Sequence, residues 1–256
     1  RSDYTKFNVP LIENGTVIEQ PADQNTITYR YTQKAVDFIK ANKERPFFLY
    51  LAYFAPHVPL ASSKLFVDRF PGEMPTRRRY ALAMISSVDD GVGRIMDRLK
   101  LYGIDENPII FFIGDNGAPL KLTMEDQSMK IKGGAWDGSK NTPLNGEKGM
   151  LAEGGIRVPF LISWPGRIPA GQIYDQPIIA LVASATALHL AGVEVDGLDG
   201  VNLIPYLSGE VDGSPHEMLY WRWLGQSAIR KGRWKYLRGA GREYLFDLDD
   251  DKEERK

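Results

Sequence analysis

Two adjacent oxygen-bearing side chains and one lysine lie in glycine-rich segments of the sequence. Asp115 and Asn116 are flanked by glycines, and carboxylate and amide oxygens are the ligands that a hard cation such as Ca²⁺ prefers. The same residue types are common turn formers, so the pair alone leaves a metal site and a simple turn both open. Lys148 could direct its ammonium at an anion, although a solvated surface position is the commoner place for a lysine.

His57 is a candidate general acid. It lies between Pro56 and Pro59, in a segment that we expect to be stiff and extended, and an imidazole titrates close to neutral pH. A structural loop histidine explains the residue equally well. The other two histidines have plainer interpretations, because His189 lies on an apolar helix and His216 in a Pro-His-Glu turn.

Short apolar runs alternate with amphipathic stretches, and these elements must position the candidate residues. The apolar runs at 46–53 and 108–113 are typical of buried parallel strands covered on both faces. Apolar residues at helical spacing predict a helix from Thr28 to a point before Pro46 and a second helix from about Arg78 to Leu101.

Strand, helix and strand in this order predict a right-handed parallel crossover. In open α/β sheets, ligands bind beyond the carboxyl ends of the strands. His57 and the Asp115–Asn116 pair each follow a predicted strand, so we expect them on one rim of the sheet with Lys148 on the adjoining loop.

The second half of the chain predicts further elements in two regions. Residues 118–147 form a long loop, residues 157–164 a strand, and Leu181–Leu190 a helix that Gly192 ends. After about residue 205, aromatic-rich alternating segments predict a small antiparallel sheet. The predicted division is an α/β region over 1–204 and an antiparallel subdomain over 205–256.

Composition narrows the classes of partner. Hydrophobic residues make up 43% of the 256 residues, no apolar run is long enough to span a bilayer, and 32 basic against 33 acidic residues leave no field to attract nucleic acid. The absence of cysteine excludes disulfides and a cysteine nucleophile in this segment. The first residues carry no initiator Met or leader, and the last form a charged run that also suits a disordered tail. We therefore expect a fragment.

Three successive motifs resemble those of type I sulfatases, in the same order and spacing. They are Pro-Phe-Phe-Leu-Tyr-Leu-Ala-Tyr-Phe-Ala-Pro-His-Val-Pro at 46–59, Gly-Asp-Asn-Gly at 114–117 and Gly-Glu-Lys-Gly-Met-Leu-Ala-Glu-Gly-Gly-Ile-Arg-Val-Pro at 146–159. Weaker similarities lie at 89–94, 163–166, 199–203, 229–236 and 245–248. The resemblance covers nearly the whole chain from about Val9, and it implies part of an alkaline-phosphatase-like, mainly parallel sheet flanked by helices.

The resemblance also implies roles for the candidate residues. Asp115 and Asn116 are expected to be two of the calcium ligands, and Lys148 is expected to bind a sulfate oxygen. His57 is expected to contact the leaving-group side of the ester and to help protonate the departing oxygen. The implied reaction is hydrolysis of a sulfate ester, with carbohydrate as the expected substrate class and a periplasmic or secreted location.

The family's nucleophile is a formylglycine, made from Cys or Ser in a Cys/Ser-x-Pro-x-Arg signature near the N-terminal part of the enzyme. We interpret that signature as absent here, because the Pro-x-Arg at Met74–Arg77 has Glu73 in the nucleophile position. The Asp89–Asp90 pair is interpreted as a helix-exposed or helix-packing pair, and the family's tandem N-terminal aspartates are also missing. We expect the calcium site to be only partly present and the isolated chain to be inactive.

Other interpretations remain open at this point. A phosphodiesterase or phosphonate hydrolase of the same superfamily is one alternative, and a non-catalytic remnant that serves as a binding module is another. Val182 departs from the family, whose members usually carry Asp there. Trp221, Trp223 and Trp234 could stack on a sugar, although aromatic residues alternating in a sheet are more often core.

Overall fold

The computed structural model of the protein describes residues 8–120 and 138–255. The chain divides into two units, Arg1–Asp105 with Pro119–Lys140 and Glu106–Ala118 with Asn141–Lys256. The division predicted at residue 205 stays a prediction. Of the predicted loop over 118–147, residues 121–137 lie outside the described part of the chain.

Unit 1 contains a short hairpin and three helices. Its described elements are β1 (Leu11–Glu13), β2 (Thr16–Glu19), α1 (Ile27–Asn42), α2 (Lys64–Val67) and α3 (Thr76–Leu101). Both long helices confirm the predictions from helical spacing. β1 and β2 pair in antiparallel register.

The core of unit 1 forms where α1 and α3 pack together. Their buried apolar residues include Ala35 and Ile39 from α1 and Ala81 and Met84 from α3, at the three- and four-residue intervals that place side chains on one helix face. Gly91 lets the helices approach closely, because a Cβ there would lie 2.5 Å from Thr32 Oγ1 and 2.6 Å from the Tyr53 hydroxyl.

The apolar run at 46–53 belongs to no helix and forms no strand ladder with any described residue. Its side chains alternate between half-buried and exposed, and Phe48 and Tyr50 are 73% and 81% exposed. The expectation of a strand covered on both faces is therefore wrong for the described part of the chain. A continuous apolar run indicates what a segment can bury, whereas a ladder also needs a partner backbone beside it.

Unit 2 carries the remaining elements. They are β3 (Ile110–Ile113), α4 (Glu153–Ile156), β4 (Phe160–Ser163), α5 (Leu181–Leu190), α6 (Ile204–Leu207), β5 (Leu219–Trp223), β6 (Gln226–Lys231), β7 (Trp234–Gly239) and β8 (Arg242–Asp247). β5 to β8 form the predicted antiparallel sheet in sequential order, and β3 pairs with β4 in antiparallel register. The predicted parallel crossover needs a strand at 46–53, and none is present there in the described part of the chain.

An apolar cluster surrounds α5. Val182, Leu203 and Leu207 are its buried centre, and Phe160 and Ile162 of β4 pack against them. Val182 has no solvent exposure, so the residue by which this chain departs from the family pattern lies in an apolar environment. Among the described helices of the whole chain, none combines the length and the apolar character needed to cross a bilayer.

The C-terminal sheet holds a buried lysine between two carboxylates. Lys235 of β7 has no exposure; its ammonium lies 2.8 Å from Glu153 Oε1 and 2.7 Å from Glu254 Oε1. Glu254 Oε2 accepts a hydrogen bond of 2.7 Å from the Glu153 backbone N–H. Arg157 contacts the other Glu153 oxygen at 3.3 Å, so two positive and two negative charges balance. This cluster joins β7 and the C-terminal residues to the start of α4.

The cluster predicts unequal costs for removing its members. Lys235→Met leaves two buried carboxylates without their shared cation and should lower the free energy of unfolding by about 3–5 kcal/mol. Burial raises the pKa of the Glu254 carboxyl, and Glu254→Gln keeps an acceptor for the Glu153 N–H. This second change should therefore cost only about 1 kcal/mol. Urea denaturation measures both, and equal losses for the two variants would contradict the proposed charge balance.

Candidate active site

The Asp115–Asn116 pair follows β3 after Gly114, and the chain turns at Asn116. Asp115 is exposed and Asn116 half-buried, and the Asn116 side-chain amide donates a 2.9 Å hydrogen bond to the Gly117 carbonyl. This bond uses the amide nitrogen, so the amide oxygen is the group that a cation would meet. The two residues therefore offer a carboxylate and an amide oxygen at the end of a strand, as predicted.

Glycine allows this turn to lie against α4 with no side chain between the two backbones. The Gly117 N–H donates a 2.9 Å bond to the Gly155 carbonyl, and a Cβ at Gly117 would overlap the Gly154 carbonyl oxygen. A Cβ at Gly154 would lie 2.6 Å from the Asn145 carbonyl, so the loop before α4 packs equally closely. Three backbone segments thus meet at one point in unit 2.

Lys148 lies on that loop, and its backbone is hydrogen-bonded to the segment that contains Asp115 and Asn116. Its backbone N–H donates a 3.1 Å bond to the Ala118 carbonyl, two residues beyond Asn116. The Asn141 side chain joins the same segments: it donates to the Ala118 and Gly146 carbonyls at 2.9 Å each and accepts from the Ala118 N–H at 2.8 Å.

The side chain of Lys148 is exposed, and no carboxylate among the described residues of unit 2 forms an ion pair with its ammonium. Lys235 has the opposite environment in the same unit, because its charge is buried and shared by two carboxylates. Within the described residues of unit 2, no carboxylate therefore competes with an anion for the Lys148 charge. Sequence spacing predicted Lys148 on the loop adjoining Asp115 and Asn116. It did not indicate Asn141, because hydrogen bonds of an amide side chain produce no periodic sequence pattern.

His57 lies in unit 1, in a turn and not in the extended segment predicted from its two prolines. Its backbone N–H donates to the Phe54 carbonyl at 3.0 Å, and its Nδ1 lies 2.7 Å from the Val58 carbonyl. A carbonyl oxygen only accepts, so Nδ1 carries the proton in this hydrogen bond. The common rim with Asp115 crosses the two units and stays a prediction.

Two sequence features that could be mistaken for family site motifs have structural roles. Pro75 precedes α3 and Arg77 is buried in its first turn, so Met74–Arg77 serves as a helix start. Asp90 contacts Arg69 at 3.4 Å on the helix surface. Trp223 and Trp234 are 53% and 50% exposed, which excludes the core interpretation for these two residues.

The chain does contain one Ser-x-Pro-x-Arg sequence, at Ser163-Trp164-Pro165-Gly166-Arg167, so the prediction that this signature is absent is wrong. In the structure Ser163 pairs with Ile110, at the end of β3 opposite to the one that Asp115 follows. Ile113 lies three residues of about 3.3 Å each beyond Ile110, and Asp115 lies beyond Ile113. Ser163 is therefore about 10 Å or more along the ladder from Asp115 and Asn116. It therefore cannot act on a group held at Asp115, Asn116 and Lys148.

Calcium needs more ligands than this pair supplies. Calcium takes about six to eight oxygen ligands, and residues 8–120 and 138–255 contain no group of three or more His, Cys, Asp or Glu side chains that could hold a metal. Asp115 and Asn116 fit a hard cation by their donor chemistry, but only as part of a larger ligand set.

The Sulfatase family profile matches residues 2–193, and the chain belongs to the sulfatase family. The chain is 33% identical over 245 residues to N-acetylgalactosamine-6-sulfatase of Mus musculus, a match that covers 90% of this chain and 44% of that protein. It is 33% identical over 220 residues to steryl-sulfatase of Homo sapiens, covering 85% of this chain and 36% of that protein. The chain thus spans less than half the length of these curated relatives, which are sulfuric ester hydrolases.

Solved structures confirm the fold class. The crystal structure of Ps i-CgsB in complex with k-i-k-neocarrahexaose superposes with a TM-score of 0.82 at 33% identity, covering 97% of this chain and 53% of that one. Phosphonate monoester hydrolase of Agrobacterium radiobacter gives a TM-score of 0.62 at 19% identity, covering 89% and 55%, and shows the fold alone. The predicted alkaline-phosphatase-like fold and the family resemblance are both confirmed.

The close backbone approach at Gly117 predicts a strong local effect of one methyl group. Gly117→Ala should lower the free energy of unfolding by about 1–3 kcal/mol, because the methyl overlaps a backbone oxygen and the two segments must separate. Gly225→Ala is the matched control, since a Cβ there has no atom within 4 Å. Equal urea midpoints for the two variants would contradict the packing described at Gly117.

Proposed function

We propose that the full-length protein hydrolyses sulfate esters, and that this chain contributes His57, Lys148, Asp115 and Asn116 to the site. The main supporting observation is the backbone hydrogen bond between Lys148 and Ala118. This bond joins the residue that bears an exposed ammonium to the segment that contains Asp115 and Asn116. Membership of the sulfatase family supplies the reaction class.

Charge complementarity defines the role of each residue. A transferring sulfate group carries negative charge on its oxygens, and the Lys148 ammonium opposes that charge as the ester bond breaks. The His57 imidazolium gives its Nε2 proton to the departing oxygen, while the Nδ1 contact with the Val58 carbonyl holds the ring. Asp115 and Asn116 would hold calcium together with donors from elsewhere in the protein, and the bound ion would supply Lewis-acid stabilisation of the sulfate oxygens.

The nucleophile is proposed to lie on a segment upstream of this chain, as a formylglycine made from Cys or Ser. The chain contains no cysteine, and its one Ser-x-Pro-x-Arg match is placed at the wrong end of β3. The whole enzyme's activity should therefore require more than these 256 residues. A periplasmic or secreted location is proposed from the family resemblance alone.

We propose carbohydrate sulfates as the substrate class. One relative is named for N-acetylgalactosamine-6-sulfate and one solved neighbour holds a neocarrahexaose. In this chain, Trp223 presents a half-exposed indole at the edge of the C-terminal sheet, and its Nε1 would lie 3.7 Å from a Cβ at Gly149, beside Lys148. An exposed indole beside an anion-binding residue suits a sulfated sugar ring, whose faces are apolar.

Lys148 provides the direct test in the full-length protein. Lys148→Ala should lower kcat/KM for an aryl sulfate about 100- to 1000-fold, because one preorganised contact to the developing charge is lost. Stability should change by no more than about 0.5 kcal/mol, as is usual for an exposed side chain. Lys148→Arg should restore the rate only in part, since its planar fork places the charge differently.

Lys252→Ala, another exposed lysine in unit 2, is the control and should keep normal kinetics. Normal turnover in Lys148→Ala would make Lys148 a solvated surface residue and remove the main support for the proposal. Hydrolysis of a phosphonate ester without hydrolysis of any sulfate ester would favour the phosphonate hydrolase alternative.

Substrate class and the need for the upstream segment are tested together. The full-length protein should hydrolyse a 6-sulfated N-acetylgalactosamine faster than a steryl sulfate, because the pyranose ring can stack on Trp223. The 256-residue chain alone should hydrolyse neither. Activity of the chain alone would show that its own residues include a nucleophile, and a preference for the steryl sulfate would contradict the carbohydrate proposal.

A further inference from the structure

The first residue of β6 contacts the loop that carries Lys148. Gln226, the first residue of β6, donates its side-chain N–H to the Gly149 carbonyl at 2.9 Å, and its Oε1 accepts the Leu151 N–H at 3.1 Å. One amide side chain thus satisfies a backbone acceptor and a backbone donor two residues apart, the pattern that a neighbouring strand would supply.

We propose that Gln226 is a positioning residue that holds the Lys148 ammonium in place for the sulfate group. This inference rests on the proposed function of Lys148. Gln226 itself has no reason to contact the substrate, because both ends of its amide are used by the loop. Its influence on the reaction would pass through the backbone of residues 149–151.

The loop needs such support because glycines flank its lysine. Gly146 and Gly149 both have positive φ, at 88° and 85°, a conformation that glycine adopts without strain but does not by itself enforce. On the N-terminal side, Asn141 bonds the Gly146 carbonyl and Ala118 bonds the Lys148 N–H. On the C-terminal side, the bonds from Gln226 to Gly149 and Leu151 complete the restraint.

Among the described residues of unit 2, the Lys148 side chain has no ion pair that could replace this restraint, and the side chain is exposed. Within this part of the chain, the position of the ammonium is therefore set by the Lys148 backbone. A shift of the loop by about 1 Å can cost up to about 100-fold in rate when a catalytic contact is misplaced.

A double-mutant cycle in the full-length protein tests the proposal. Gln226→Met keeps the length of the side chain and removes both hydrogen bonds, and it should lower kcat for an aryl sulfate about 10-fold or more. Combined with Lys148→Ala, it should cost little beyond Lys148→Ala alone, because Gln226 acts through that lysine. Gln176→Met, at an exposed glutamine of unit 2, is the control and should leave kcat unchanged.

Gln226→Glu is the second variant, which keeps an acceptor for the Leu151 N–H but loses the donor to Gly149. Hydrogen exchange should show faster exchange of the Leu151 amide in Gln226→Met than in Gln226→Glu, because only the carboxylate still accepts a hydrogen bond from that N–H. Such a local difference at unchanged overall stability separates positioning from a general loss of folding.

The outcomes distinguish this inference from the proposed function. If Lys148→Ala is fully active, the proposed function of Lys148 fails first, and the inference fails with it. If Lys148→Ala is impaired but Gln226→Met and Gln226→Glu keep normal kcat, only the positioning role is overturned. Fully additive losses in the double variant would also overturn it, because Gln226 would then act independently of Lys148.

Discussion

Direct packing of backbone on backbone is the constraint on which the candidate site in unit 2 depends. At Gly117, Gly154 and Gly155, carbonyl oxygens occupy the positions where side chains would otherwise begin. This backbone contact brings the segment of Asp115 and Asn116 closer to the Lys148 loop than packed side chains would allow. It also removes the usual apolar contacts that hold loops in place, so hydrogen bonds must provide the order.

Several hydrogen bonds of the site region also come from the C-terminal sheet and the residues after it. Lys235 of β7 and Glu254 fix the carboxylate and the backbone N–H of Glu153, which begins α4. Gln226 of β6 fixes the loop that contains Lys148. The C-terminal sheet therefore supports the glycine contacts through Gln226 and Lys235.

The sequence predicted what depends on local periodicity and missed what depends on distant partners. α1, α3 and the four strands after Met218 follow from regular spacing of apolar residues, and all are present. The run at 46–53 failed as a described strand because pairing needs a second backbone, which composition does not report. Gln226 and Lys235 carried no signal either, since their partners lie 77 and 82 residues away in the chain.

The two best-defined lysines of unit 2 show how the same side chain serves opposite purposes. Lys235 is buried, and its charge is balanced by two carboxylates, so it strengthens structure and has nothing left for a ligand. Lys148 is exposed, and its charge has no such balance within the described residues of the unit. With a net charge of -1, this chain has no general attraction for anions. The proposed binding of a sulfate group therefore calls for a local charge that is positioned without being neutralised. Lys148 meets that condition among the described residues of unit 2, because hydrogen bonds of its loop backbone hold it and no ion pair does.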